Sequence, residues 1–183
     1  ASVGTPVPGF TVAIRDAQGA PLPVGRIGRI HARGPSLLSR YLGSDAHPVR
    51  DGWLDTGDLG FVHDGELFIA GRAKDVIILR GRNHAPQEIE HALDAVDGLR
   101  TGCAVAVGDV DEDGERLIVF AEVRTPREGL AQAARAAVKG ATGLDPALVL
   151  LVEARTLPRT SSGKLRRAEA LRRWKAGTLT PPD

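Results

Sequence analysis

The chain has 183 residues, of which 42% are apolar, with 24 Lys and Arg set against 23 Asp and Glu. That length supports one domain or two small ones with a real core, and the formal charge of +1 gives no global attraction to nucleic acid or an anionic membrane. The single cysteine, Cys103, excludes a disulfide framework and a cysteine zinc site, and no stretch approaches the roughly 20 apolar residues of a membrane span.

Cys103 opens the apolar run 103–107 and reads as a small buried hydrophobe. The chain opens without a basic-then-apolar leader pattern, so it reads as cytoplasmic, and the absence of Met suggests a fragment or a processed chain.

In chain order, short β-type pieces come first, at 10–14, 28–31, 60–62 and 66–69, separated by Gly, Pro and Asp. Asp64-Gly65 between the last two is a hairpin signal, because both turn positions favour positive φ. This half predicts a small antiparallel, barrel-like β subdomain over 1–72. The pattern changes after Lys74 to strands at 76–79, 104–107, 117–123 and 148–152, with helices over 86–96 and 127–142. The overall class is therefore α+β, with a compact α/β domain over 76–176 following the β subdomain.

The first helix is marked by Pro86 at its start, by Gln87, Glu88 and Glu90 in its first turns, and by Ile89, Leu93 and Val96 at helical spacing. In the basic segment 153–175, Leu165, Ala168, Leu171 and Trp174 imply a terminal amphipathic helix. Residues 177–183 read as a tail, with Thr180-Pro181-Pro182-Asp183 as the start of a linker.

Three segments carry candidate chemistry: Trp53-Leu54-Asp55-Thr56-Gly57-Asp58, Gly71-Arg72-Ala73-Lys74-Asp75 and Leu157-Pro158-Arg159-Thr160-Ser161-Ser162-Gly163-Lys164. Taken singly, each reads as a turn, a charged strand entry or a solvated connector. The Ser-Gly-Lys segment is not a nucleotide phosphate loop, since Pro158 stands where that loop's first glycine belongs.

Together, in this order and spacing, the three segments resemble the adenylate-forming superfamily of acyl-CoA synthetases, peptide-synthetase adenylation domains and acyl-AMP ligases, over nearly the whole chain. A fourth segment, Arg80-Gly81-Arg82-Asn83 followed by Pro86-Gln87-Glu88-Ile89-Glu90, resembles the fatty acyl-AMP ligases most closely. Three positions depart from the family's usual pattern: Asp55 replaces a frequent basic residue, Ala85 a frequent Tyr or Ser, and the stretch 43–53 is short for a fatty acyl-AMP ligase.

The resemblance implies that Asp58 grips the ATP ribose hydroxyls, that Arg72 reaches ribose and phosphate, and that 73–75 is a hinge centred on Lys74. It implies that Gly81 lines a pantetheine tunnel, with Arg82 on the acceptor side. Lys164 becomes the catalytic lysine bridging the substrate carboxylate and the α-phosphate. Under that reading 1–72 is the last subdomain of a larger N-terminal domain, and 76–176 is a mobile C-terminal domain. The phosphate loop, the acyl pocket and the Mg2+ ligand are expected in an N-terminal portion upstream, so the 183-residue chain alone is expected to be inactive.

The implied function is activation of a long-chain fatty acid with ATP, for transfer to the thiol of an acyl carrier protein. Sibling readings are an acyl-CoA ligase, with CoA as acceptor, and a peptide-synthetase adenylation domain. A reading from another class is a non-catalytic module using residues 155–175 to bind a carrier protein or nucleic acid. Nucleic acid is disfavoured because Trp174 is the only aromatic there.

Overall fold

The chain is described here from a computed structural model covering all residues except Ala1, Ser44, Ala46, Asp113, Pro182 and Asp183. The end of the linker expected after Thr180, the first residue of the β subdomain and part of the short 43–53 stretch therefore lie outside the described residues. The chain divides into two units, Ala1–Lys74 and Asp75–Asp183.

In the first unit, β1 (Thr11–Arg15), β2 (Gly28–Arg33), β3 (Val49–Arg50), β4 (Trp53–His63) and β5 (Glu66–Arg72) form one antiparallel sheet. Its order is β1-β2-β4-β3, with β5 also paired to β4. Register shifts at 29–31 in β2 and at 59–60 in β4 bend the strands, so the sheet curls into a half-barrel. Gly60 permits that bend, since a Cβ there would meet the Phe68 carbonyl oxygen at 2.3 Å. The β4–β5 hairpin turns on Asp64 (φ 50°) and Gly65 (φ 79°), as the sequence predicts. Strand β4 begins seven residues earlier than the predicted piece at 60, so Thr56-Gly57-Asp58 lies on a strand.

The second unit begins with the hairpin β6 (Ile77–Leu79) and β7 (Arg82–His84), followed by α1 (Pro86–Ala92). Then come β8 (Leu99–Asp111), β9 (Gly114–Val123), α2 (Leu130–Thr142), β10 (Leu148–Val152) and α3 (Arg167–Lys175). Strand β9 is central, antiparallel to β8 and parallel to β10. Period-2 alternation sorts its side chains: Leu117, Val119 and Ala121 face a core with Ile89 and Leu93 after it on the α1 side, and with Leu130, Ala134 and Val138 of α2. Ile118 and Phe120 face the opposite core, with Leu157 of the following loop and Ala170 of α3. The sheet is thus covered by helices on both faces, which is why β9 is apolar almost throughout.

Three local expectations change. Helix α1 stops at Ala92 instead of near Val96, because Leu93, Asp94 and Val96 donate to carbonyls three residues back and tighten the chain into turns. The terminal helix starts only at Arg167, and Ala168 is exposed while Ala170 is buried. A spacing of three drifts off a 3.6-residue face, so the inward residues are Arg167, Ala170, Leu171 and Trp174. Leu179, within the expected tail, is 4% exposed and packs into the second core, because an apolar side chain beside that core gains by burial.

Candidate functional site

Strand pairing places Asp58 opposite Arg72, and Arg72 Nε donates to Asp58 Oδ1 at 2.8 Å. A second arm of the same guanidinium donates to the Thr56 carbonyl oxygen at 3.4 Å. The turn before Asp58 is fixed by its own side chains. Thr56 Oγ1 accepts from the Asp58 N–H at 3.1 Å and donates to the Ile30 carbonyl at 2.9 Å, while Asp55 Oδ1 accepts from the Gly57 N–H at 2.9 Å. Gly57 sits at φ 75°, where a side chain is strained.

Asp55, unusual at its position, is explained by its partner: Arg29 on β2 donates to Oδ2 through Nε at 2.9 Å and through a terminal nitrogen at 2.6 Å. Burial pushes the Asp55 carboxyl up, but the Arg29 and Gly57 hydrogen bonds and the nearby positive charge outweigh it and hold the pKa below the ordinary value. The side chain of Asp58 remains 30% exposed and that of Arg72 54% exposed. Together they present a carboxylate oxygen and guanidinium donors on one open edge. That pair can meet vicinal hydroxyls and phosphate oxygens.

Lys74 is exposed in the single 3₁₀ turn Ala73–Asp75, where the two units meet in sequence. Arg80 (φ 52°) and Gly81 (φ 71°) form the two-residue turn of the β6–β7 hairpin, and Arg82 is exposed at the head of β7. A Cβ on Gly81 would meet nothing within 4 Å, so within this chain it is the backbone angle that calls for glycine. His84 belongs to β7 and His91 is on the surface of α1 beside Asp94.

Lys164 lies on a tight loop closed like a small hairpin. Arg166 N–H donates to the Pro158 carbonyl at 2.9 Å, Thr160 N–H to the Lys164 carbonyl at 2.8 Å, and Lys164 N–H to Thr160 Oγ1 at 3.0 Å. Arg159 steadies the tip through the Gly163 carbonyl at 2.9 Å and touches Cys103 Sγ at 3.2 Å. The Lys164 side chain projects exposed from a backbone that its neighbours hold. Of the predicted residues, Asp58 and Arg72 are brought together. Among the described residues, no hydrogen bond or ion pair joins Lys164 to the Gly81-Arg82 turn.

Residue-by-residue sequence reading misses several supporting groups. Glu122 is fully buried on β9, accepting from Arg100 at 2.9 Å and from the Leu157 N–H at 3.2 Å. Its signal is a charged residue ending an apolar strand. The basic segment 155–175 is also less available than its composition suggests, because Arg167 pairs with Glu90 and Asp75, Arg172 and Arg173 with Glu169, and Lys175 with Asp109.

No protein-family profile matches the chain. Individual proteins do. A putative acyl-CoA synthetase of Caulobacter vibrioides is 42% identical over 97% of the chain and 32% of its own length. Among solved structures, McyG A-PCP complexed with phenylalanyl-adenylate superposes with a TM-score of 0.87 at 30% identity, over 97% of the chain and 34% of that structure. A structure from a study of fatty acyl-adenylate ligases of E. coli and L. pneumophila superposes with a TM-score of 0.84 at 36% identity, over 96% of the chain and 32% of that structure. The half-barrel followed by the mixed sheet with three helices is the C-terminal fold of the adenylate-forming ligases. The chain belongs to that superfamily and corresponds to its C-terminal portion. It spans about a third of the length of the relatives it matches.

Proposed function

We propose that this chain is the C-terminal part of a fatty acyl-AMP ligase, which condenses a fatty acid with ATP and passes the acyl group to a carrier-protein thiol. The observation that carries the reading is the Asp58–Arg72 pair on β4 and β5, an open carboxylate-guanidinium edge in a chain homologous to adenylate-forming enzymes. In this reading Asp58 accepts from both ribose hydroxyls, and Arg72 donates to ribose and phosphate oxygens. Lys164 places a compact ammonium between the attacking carboxylate oxygen and the α-phosphate, stabilising charge that develops as that bond forms.

The Asp75–Asp183 unit is proposed to move about Lys74 between the two half-reactions, bringing Gly81 and Arg82 to the thiol acceptor. The exposed Arg80-Gly81-Arg82-Asn83 turn supports the carrier-protein assignment. Mg2+ finds no ligand set here: among the described residues no group of three His, Cys, Asp or Glu could hold a metal ion. The phosphate loop, acyl pocket and metal ligand are assigned to the remaining length of the enzyme. A CoA acceptor is the second reading, favoured by the name of the Caulobacter relative.

The test supplies the whole ligase with dodecanoic acid, ATP and either CoA or a phosphopantetheinylated acyl carrier protein. Faster acyl-carrier formation supports the proposal. Efficient acyl-CoA formation transfers the protein to the CoA-ligase branch.

A further inference from the structure

The loop bearing Lys164 leaves the second core at Leu157 and re-enters structure at Arg167, the first residue of α3. Its start hangs on buried Glu122 through the Leu157 N–H. Its end is held by one guanidinium. Arg167 Nε and a terminal nitrogen donate to the two oxygens of Glu90 at 2.7 and 2.6 Å, and its other terminal nitrogen donates to Asp75 Oδ2 at 3.0 Å. Glu90 is itself fixed, because its Oε1 also accepts from the Ala106 N–H of β8 at 3.1 Å. The three side chains are 15 to 22% exposed.

Asp75 is the first residue of the second unit and follows Lys74 directly. Arg167 follows Lys164 by three residues. A bidentate Arg-carboxylate pair fixes direction as well as distance, which a lysine ammonium cannot reproduce. We propose that Arg167 is a positioning residue for Lys164: it ties the base of the catalytic loop to Asp75, so that the loop's placement is set by the segment where the two units join. The proposal rests on the adenylation reading above. A displacement of about 1 Å at a reacting group can cost about 10²-fold in rate, so a residue that never touches substrate can act this way.

The experiment uses the whole ligase, with Arg167→Gln and Arg167→Lys made alone and on a Lys164→Ala background. Pyrophosphate exchange is measured with whichever acid of an even-numbered C8–C18 series exchanges fastest with the wild type, and thiol transfer is measured from the supplied acyl-adenylate. Arg167→Gln is expected to lower the exchange kcat by about 10–100-fold while the KM for ATP and the transfer rate stay within about threefold. Arg167→Lys should recover only part of the loss. On the Lys164→Ala background Arg167→Gln should cost nothing further, because both act through one group.

Equal slowing of both half-reactions, or a full further loss on the Lys164→Ala background, would show a general structural role and overturn the proposal. If Arg167→Gln fails to fold, Asp75→Ala removes only one of the three bonds and should slow exchange alone; unchanged exchange in that variant also overturns it. Normal exchange by Lys164→Ala, or no exchange with any acid, would instead overturn the parent reading.

Discussion

Asp58 and Arg72 are register partners across the β4–β5 ladder, and their side chains meet at 2.8 Å with both partly open. Adjacent strands thus hold the two residues that the sequence places fourteen positions apart. An exposed pair of this kind contributes little to stability, about 0–1 kcal/mol, so its value lies in what it can bind.

Asp58→Asn in the whole ligase should therefore leave the melting temperature nearly unchanged and raise the KM for ATP. Losing a hydrogen bond to a charged acceptor costs about 1.5–3 kcal/mol, or about 10–150-fold in affinity. Steady-state kinetics with varied ATP checks this. An unchanged KM would remove Asp58 from the nucleotide site.

Gly81→Ala separates the structural from the functional demand at the β6–β7 turn. With φ at 71° and open space around a Cβ, alanine should cost about 1 kcal/mol in the second unit's stability and no more. If Gly81 also lines the acceptor path, thiol transfer should fall much further than that loss explains, while acyl-adenylate formation persists. Chemical denaturation beside single-turnover transfer measures both.

Lys74→Pro is expected to spare acyl-adenylate formation and block transfer, since a fixed φ and a missing N–H resist rotation about the proposed hinge. Normal transfer in this variant would place the pivot elsewhere.

The second unit should lose stability in acid. Burial raises the Asp109 carboxyl, but the hydrogen bonds from Lys175 and Arg116 outweigh it and leave the pKa below its ordinary value. Hydrogen bonds from Arg172 and then Arg173 lower Glu169 from 4.5 to about 2. Both groups bind fewer protons folded than unfolded, so each contribution is full above the unfolded pKa and is lost as pH falls through the folded one, which for Glu169 runs from about 4.5 towards about 2. Denaturation at stepped pH should show that decline, and Asp109→Asn should remove the Asp109 share of it while costing about 1–3 kcal/mol at neutral pH, because Lys175 and Arg116 lose the carboxylate they share while Arg116 keeps its pairing with Asp111.

Much of this was legible in the chain itself. The apolar run 117–123 and the Asp64-Gly65 turn give the strands directly, since both depend on local sequence. The role of Asp55 was not legible, because a carboxylate there reads as a departure until Arg29, on another strand, is seen beside it. Arg167 hid in a basic segment for the same reason, with Glu90 and Asp75 far away in sequence. The end of α1 was overextended because Leu93 and Val96 keep helical spacing while the backbone has already tightened into turns. Long-range partners and backbone tightening leave no mark in a one-dimensional pattern.

The central claim is that Lys164 serves acid activation and nothing later. In the whole ligase, Lys164→Ala should lower fatty-acid-dependent pyrophosphate exchange by about 10²–10³-fold, the usual cost of losing one charged donor at a developing negative charge. Thiol transfer from supplied acyl-adenylate should proceed at close to the wild-type rate. Comparable slowing of both half-reactions would contradict the account and make Lys164 a structural residue of its loop.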